Sequence, residues 1–262
     1  MERHFRYFFT IDKANSLHQG HVTSLPSPDF SIIGENLDHS NDARYFTSFH
    51  FNKTDDTNAV WAKGKYLLLL YNGACRIFLY NPMPDPDFIS LFSDLELREL
   101  YLVDPKLADF DDSTHKLLKV QNHWDILPLY PFDDSINFLG KDRINPLITD
   151  ITKSIFIAKD APDVCALLLL AGKSLDWISL YSMLDTIQNF HPDFKKLIVS
   201  NGITEKDINA FTGTANSFGL LGANARHGIK NWQIPKKTIG LKEAQQLIFS
   251  LSKAYLKDQH SI

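Results

Sequence analysis

The stretch from Lys159 to Phe190 constrains the fold most, because it is long and apolar but does not alternate as a strand does. Its apolar residues recur at three- and four-residue steps, which is the spacing of one helix face; they include Val164, Leu167, Leu168 and Ala171. Asp160 and Pro162 are typical of a helix start, since Asp caps free N–H groups and Pro lacks one. We predict one long helix that His191-Pro192 ends.

Two further helices are predicted downstream. Thr204 is a candidate N-cap, and Glu205 and Asp207 would lie in the first turn, where negative charge suits the helix dipole. Beyond Pro235, apolar side chains form a single helical stripe; its members are Leu241, Ala244, Leu247, Ile248, Leu251, Ala254 and Tyr255. The C-terminal part of the chain therefore reads as helical.

The first half has the pattern of strands and turns. "RYFFTI", "FSIIG" and the alternating "ARYFTSFHF" favour strands, whereas "SLFSDLELRELYLV" favours a short helix. Two apolar runs, Tyr66 to Leu70 and Cys75 to Tyr80, flank Asn72-Gly73, a pair suited to the tight turn of an antiparallel hairpin. The predicted fold class is α+β. An N-terminal antiparallel β-rich domain (residues 1–150) precedes a C-terminal all-helical domain (160–262), with the join near residues 141–160.

The composition, 44% hydrophobic and 22% charged, is typical of a globular protein. Neither a signal peptide nor a transmembrane stretch is apparent, so we expect a cytoplasmic protein with no membrane partner. The two cysteines, Cys75 and Cys165, lie in apolar runs and are expected to be buried free thiols of a reducing compartment. The net charge of −4 gives no whole-chain argument for nucleic-acid binding.

The charge is unevenly distributed. Residues 160–262 hold 11 Lys/Arg against 9 Asp/Glu, a net of +2, whereas residues 1–159 hold 16 against 22, a net of −6. Between Ile208 and Lys242 there is no acidic residue, but there are several cations and a tryptophan: Arg226, Lys230, Lys236, Lys237, Lys242 and Trp232. Such a stretch suits a phosphate-bearing partner. The alternative is a solvated loop with a chance run of lysines.

The same stretch contains "TANSFGLLGANARHG", which ends in Arg226-His227-Gly228. A histidine acts as an acid or base near neutral pH, and an arginine holds a phosphate or a developing negative charge. Thr214, Asn216 and Asn224 would add hydrogen-bonding groups nearby. This set suits metal-free RNA cleavage, with His227 and Arg226 as catalytic residues. The alternative is that the pair caps a helix end, which Gly228 permits.

Residues 160–257 also resemble the HEPN helical domains and the C-terminal region of a group of uncharacterised bacterial proteins. The resemblance rests on a long helix, a helix with "FTGTAN", then "ARHG", a proline-containing link and the amphipathic last helix. It implies an RNase of defence or toxin-like systems that pairs as a homodimer. The HEPN pattern places an arginine four to six residues before the histidine, where this chain has Leu221, Gly222 and Ala223. His227 alone carries over, and the arginine role would pass to Arg226 or to a lysine.

The sequence offers little evidence for a metal site, a nucleotide-binding site or a serine esterase site. His18 and His21 are spaced like metal ligands, but no further pair of zinc ligands follows with matching spacing. The paired aspartates of "DFDDSTH" and "PFDDS" have the chemistry to bind Mg²⁺, but such pairs are more typical of solvated acidic turns. The chain has no P-loop, GxGxxG or GxSxG motif, and we expect neither a cofactor nor a metal.

Two functional hypotheses follow. In the first, the helical domain binds RNA through Asn216, Asn224, Lys230, Trp232, Lys236 and Lys237, and cleavage is its catalytic form. In the second, the protein is a non-catalytic interaction module: the helical domain dimerises, and the β-rich domain binds a protein or small ligand. In the first hypothesis, the resemblance to two-part defence proteins implies that the β-rich domain is a sensing or regulatory part.

Overall fold

A computed structural model of the protein describes residues 6–11, 24–26, 29–34, 44–79, 95–100, 115–117, 130–132, 149–173, 175–229 and 234–262. The chain divides into two compact units. Unit 1 is Met1–Leu68 with Pro84–Ile148, and unit 2 is Leu69–Met83 with Thr149–Ile262. Residues 69–83 therefore belong with the C-terminal helices, which a division at one point of the sequence does not anticipate.

Unit 1 contains an antiparallel sheet with the strand order β2-β3-β4-β1-β5-β6. Its strands are β1 (Tyr7–Ile11), β2 (Ser24–Pro26), β3 (Ser31–Gly34), β4 (Arg44–Thr47), β5 (Leu95–Leu100) and β6 (His115–Leu117). In β1, Phe9 lies opposite Phe46 of β4 on one side and Leu97 of β5 on the other. The antiparallel sheet predicted for the N-terminal part is present.

The strand predictions differ in their outcomes. β1 and β3 confirm the strands predicted in "RYFFTI" and "FSIIG". The strand predicted in "ARYFTSFHF" ends at Thr47, because Ser48 caps a short 3₁₀ helix, Phe49–Phe51, by accepting the His50 backbone N–H. The helix predicted around "LELREL" is wrong, because this segment pairs with β1 as strand β5. Strand pairing satisfies the backbone N–H and C=O groups of both segments.

Helix α1 (Thr57–Leu79) replaces the predicted hairpin. Asn72-Gly73 is a turn signal only where strands flank it, and here it lies inside the helix. All residues from Gly64 to Ile77 are buried, so the apolar run covers every face of a helix rather than two faces of a hairpin. The helix also buries two polar atoms at a cost in free energy, because neither amide atom of the Asn72 side chain has a hydrogen-bond partner among the described residues.

The core of unit 1 is aromatic. Phe9 lies 5.6 Å from both Phe51 and Trp61, measured between ring centroids, and 6.2 Å from Phe46. A Cβ on Gly64 of α1 would lie 2.2 Å from the Phe9 ring, so this glycine lets the sheet and the helix meet closely. Such aromatic contacts add to the free energy of apolar burial.

The helices of unit 2 that follow residues 69–79 of α1 are α2 (Asp150–Ile157), α3 (Pro162–Gly172), α4 (Trp177–Phe190), α5 (Phe194–Ser200), α6 (Glu205–Ala215), α7 (Phe218–Leu221) and α8 (Leu241–His260). The helical C-terminal part is thus present. Its one predicted long helix is wrong, because α3 and α4 are separate. Arg76 of α1 donates from Nη1 to the carbonyls of Ala171 and Lys173, which closes the end of α3, and Asp176 caps α4.

Capping explains the other helix ends. Ala161, not Asp160, is the N-cap of α3, and it has no side-chain cap bond, although Pro162 does lie in the first turn as predicted. Thr204 and Asp207 form a reciprocal capping box at α6, which confirms that helix start. Helix α2 starts after the N-cap Thr149, inside the segment predicted to join the two domains. The predicted last helix is confirmed as α8.

The described residues include both cysteines and all the helices named above. Cys75 and Cys165 are both free thiols, and Cys75 is buried as predicted, whereas Cys165 is partly exposed. None of the helices in the described part of the chain combines the length and apolarity that crossing a bilayer requires.

Candidate nucleic-acid interface

Arg226 and His227 lie in the segment between α6 and α8, which leaves the end of α6 and contacts it again further along the chain. We name residues 216–240 the α6–α8 connection; it contains α7 and a 3₁₀ turn, Gly222–Asn224. The backbone N–H of Arg226 donates to the Ala215 carbonyl at 2.9 Å, and that of Ile239 donates to Thr214 Oγ1 at 3.1 Å. Gly222 permits the turn after α7 with its positive φ of 55°. The connection is therefore fastened at two points to the last turn of α6.

The Arg226 side chain is held against α4. Its Nη2 donates to Asp185 Oδ2 at 2.9 Å, and its guanidinium carbon lies 3.7 Å from the centroid of the Tyr181 ring. The ring covers one face of the guanidinium while the carboxylate takes one corner. Because Asp185 and Tyr181 are one helical turn apart on α4, a single helix face supplies both contacts.

An aromatic column supports this arrangement from below. The Tyr181 ring stacks on Phe211 of α6 at 6.0 Å, and Phe211 stacks on Trp177 at 6.1 Å. Phe211 is fully buried and Trp177 nearly so. The column fixes the Tyr181 ring, so the surface that receives Arg226 is preformed by the packing of α4 on α6.

His227 has a different environment from its neighbour. It is exposed, lies in a bend, and its ring has no hydrogen bond or ion pair with any described residue. The structure thus places Arg226 inward against α4 and His227 in solvent. The side-chain contacts of Arg226 are to α4, and it is the Arg226 backbone N–H that satisfies the end of α6.

The other predicted binding residues lie unequally. Asn224 and Lys236 are exposed, and Lys237, also exposed, pairs with Asp207 of α6 at 3.3 Å. Lys230 and Trp232 lie outside the described residues, as do His18, His21 and the predicted aspartate pairs. Asp185 and Asp207 each neutralise one cation of a stretch that contains no acidic residue of its own.

Asn216 and Ser217 each carry a buried polar side-chain atom. Asn216 Oδ1 and Ser217 Oγ have no hydrogen-bond partner among the described residues, although the Thr214 hydroxyl beside them donates to the Ala210 carbonyl. Asn216 was a predicted binding residue, but its carbonyl oxygen is shielded from solvent. An ordered water is the usual partner for such atoms.

A polar cluster at the start of α3 was not predicted. The buried Asp163 carboxylate accepts hydrogen bonds from the Tyr255 hydroxyl and from His260 Nε2, the latter at 2.7 Å. Burial alone would raise the pKa of Asp163, but these two hydrogen bonds lower it below its ordinary value. Burial and the Asp163 contact raise the pKa of Tyr255 well above its ordinary value. The partners lie 92 and 97 positions apart, so no local pattern connects them.

The described residues of unit 1 include a buried ionisable pair. His50 Nε2 lies 3.1 Å from Asp29 Oδ1, and both side chains are fully buried. Ser48 Oγ donates to the Asp29 backbone carbonyl at 2.5 Å. These residue types are those of a catalytic triad, but Ser48 bonds to backbone rather than to the imidazole, and all three are closed to solvent.

Among the described residues, no three histidine, cysteine or carboxylate side chains are grouped as a metal site would require. No protein-family model, curated protein or solved structure matches the chain. The resemblance to HEPN domains accordingly rests on the sequence features alone.

Proposed function

We propose that unit 2 binds RNA through the α6–α8 connection and the first turn of α8, with Arg226 and the exposed lysines on phosphate groups. The observation that carries the proposal is an anchored arginine beside an exposed histidine. Arg226 keeps about a third of its side chain exposed, and its Nη1 and Nε atoms have no hydrogen-bond partner among the described residues. A guanidinium already fixed by Tyr181 and Asp185 loses little further entropy when it binds a phosphate.

Two exposed lysines would add positive charge to the proposed RNA-binding surface. Lys236 and Lys242 are exposed and make no ion pair with any described residue, so their charges are available to a polyanion. The test replaces both by alanine and compares them with Lys206→Ala/Lys253→Ala, which removes two exposed charges elsewhere in unit 2. Binding of a fluorescein-labelled oligouridylate is followed by fluorescence anisotropy at several salt concentrations.

Two phosphate contacts contribute about 1.4 to the slope of log K against log salt for a single strand, at about 0.7 per contact. We expect the Lys236/Lys242 variant to lose a slope of that size and the control pair to lose much less. Equal losses in the two double variants would show that the binding surface is not formed by the connection and the first turn of α8. Absence of binding by the wild-type protein would overturn the proposal.

Cleavage is the catalytic form of the same proposal, with His227 as the acid/base. An exposed imidazole is free to approach a 2′-hydroxyl, and Arg226 would stabilise the charge on the phosphate. The wild-type protein and His227→Ala are incubated with transfer RNA and total RNA in EDTA. Cleavage that is lost in His227→Ala while anisotropy binding persists would assign catalysis to this histidine. A role in defence or growth control remains an implication of the resemblance.

The second candidate is a dimerising interaction module without chemistry. Several large apolar side chains of unit 2 are exposed, among them Ile229 (60%) and Ile234 (61%) in the connection. A second copy of the chain would cover such residues. Light scattering of the wild-type protein and of Ile229→Ser/Ile234→Ser tests this. A dimer that becomes a monomer in the variant would favour it, and a monomeric wild-type protein would exclude it.

A further inference from the structure

We infer that Asp185 and Tyr181 are positioning residues for Arg226: they hold its guanidinium so that the edge opposite Asp185 faces the phosphate. This inference rests on the proposed RNA binding and names residues that the sequence analysis did not single out. Both residues lie on α4, outside the basic stretch, and neither would contact RNA through a positive charge.

The geometry distinguishes positioning from simple neutralisation. Asp185 Oδ2 engages Nη2 alone, at 2.9 Å, and leaves Nη1 and Nε without a partner among the described residues. The Tyr181 ring, whose centroid lies 3.7 Å from the guanidinium carbon, packs against the guanidinium and limits its movement. A guanidinium that is held at one nitrogen and on one face presents its remaining N–H donors in a fixed direction, as phosphate binding requires.

The side chains are accessible enough to serve a ligand. Arg226 is 31% exposed and Asp185 37%, so the ion pair lies at the surface, where its direct contribution to stability is small. The fully buried Phe211 beneath Tyr181 means that the support is part of the core and does not depend on RNA. The arrangement is therefore preformed for binding.

The test compares Asp185→Asn with Asp185→Ala. Both remove the same negative charge, which by itself favours RNA, but only asparagine keeps an acceptor for Nη2. If Asp185 positions Arg226, oligouridylate should bind Asp185→Asn about fivefold more tightly than Asp185→Ala, the factor for one hydrogen bond of average strength. In an Arg226→Ala background the two variants should bind equally, as a double-mutant cycle requires.

Tyr181 provides a second pair of variants. Tyr181→Phe keeps an aromatic face for the guanidinium and should bind like the wild type, whereas Tyr181→Leu should bind several-fold more weakly. Equal binding by Asp185→Asn and Asp185→Ala, or tighter binding by the alanine variant, would overturn the inference while leaving RNA binding intact. No binding by the wild-type protein would instead overturn the proposed function.

Discussion

Replacing Gly73 by alanine tests how α1 packs in unit 2. A Cβ added at Gly73 would lie 1.9 Å from the Leu168 backbone oxygen, whereas ordinary contact begins at 3.4 Å. The α3 residue Gly172 makes the reciprocal approach, since a Cβ there would lie 2.0 Å from the Leu69 oxygen. The two helices therefore touch backbone to backbone at two glycines.

The cost follows from these distances. The backbones must separate by about 1.5 Å, the difference between 3.4 and 1.9 Å. No side chain can rotate to relieve a clash with a carbonyl, so we expect the upper end of the overpacking range, about 3 kcal/mol. Alanine recovers about 1 kcal/mol of helix propensity. The net loss in the free energy of unfolding is about 2 kcal/mol.

The assay is urea and thermal unfolding followed by circular dichroism. Gly213→Ala is the matched control, because its Cβ would meet Pro235 at 3.5 Å, an ordinary contact. It should raise stability by about 0.5–1 kcal/mol through helix propensity. Gly172→Ala should be destabilising like Gly73→Ala. If Gly73→Ala were as stable as the Gly213 control, the close approach of α1 and α3 would be refuted.

Three further predictions concern polar contacts. Thr204→Ala should lower unfolding free energy by about 1 kcal/mol in urea titration, since it removes the cap of α6; no change would mean that the box contributes nothing. Arg76→Leu should cost about 1.5–3 kcal/mol and increase hydrogen exchange at the end of α3, whereas unchanged exchange would contradict its capping role. Because the folded pKa of Asp163 is lowered, the stability it contributes is present above about pH 3.8 and lost below it. Tyr255→Phe should lower stability at neutral pH and reduce this acid-dependent loss of stability, because it removes a hydrogen bond to Asp163. Urea midpoints of the wild type and the variant, measured at neutral pH and below pH 3.8, would show both effects. If stability depended on pH identically in the two proteins, this role of Asp163 would be contradicted.

The candidate site was only partly predictable. Arg226 and His227 could be identified from the sequence because they are adjacent and their residue types indicate acid–base chemistry and phosphate binding. It could not identify Asp185 and Tyr181, which lie about 40 positions earlier and meet Arg226 only once α4 packs against α6. Nor could it show that Arg226 faces inward while His227 is exposed, since adjacent residues carry no signal of burial.

The sequence by itself determined features that depend on neighbours in the chain: the capping box at Thr204, the apolar stripe of α8 and the strand of β1. Short-range hydrogen bonds and periodicity suffice for these. The tertiary structure alone decided between helix and hairpin at Asn72-Gly73. An apolar run without clear periodicity fits either, and the choice depends on a partner, the backbone of α3, about 95 residues away.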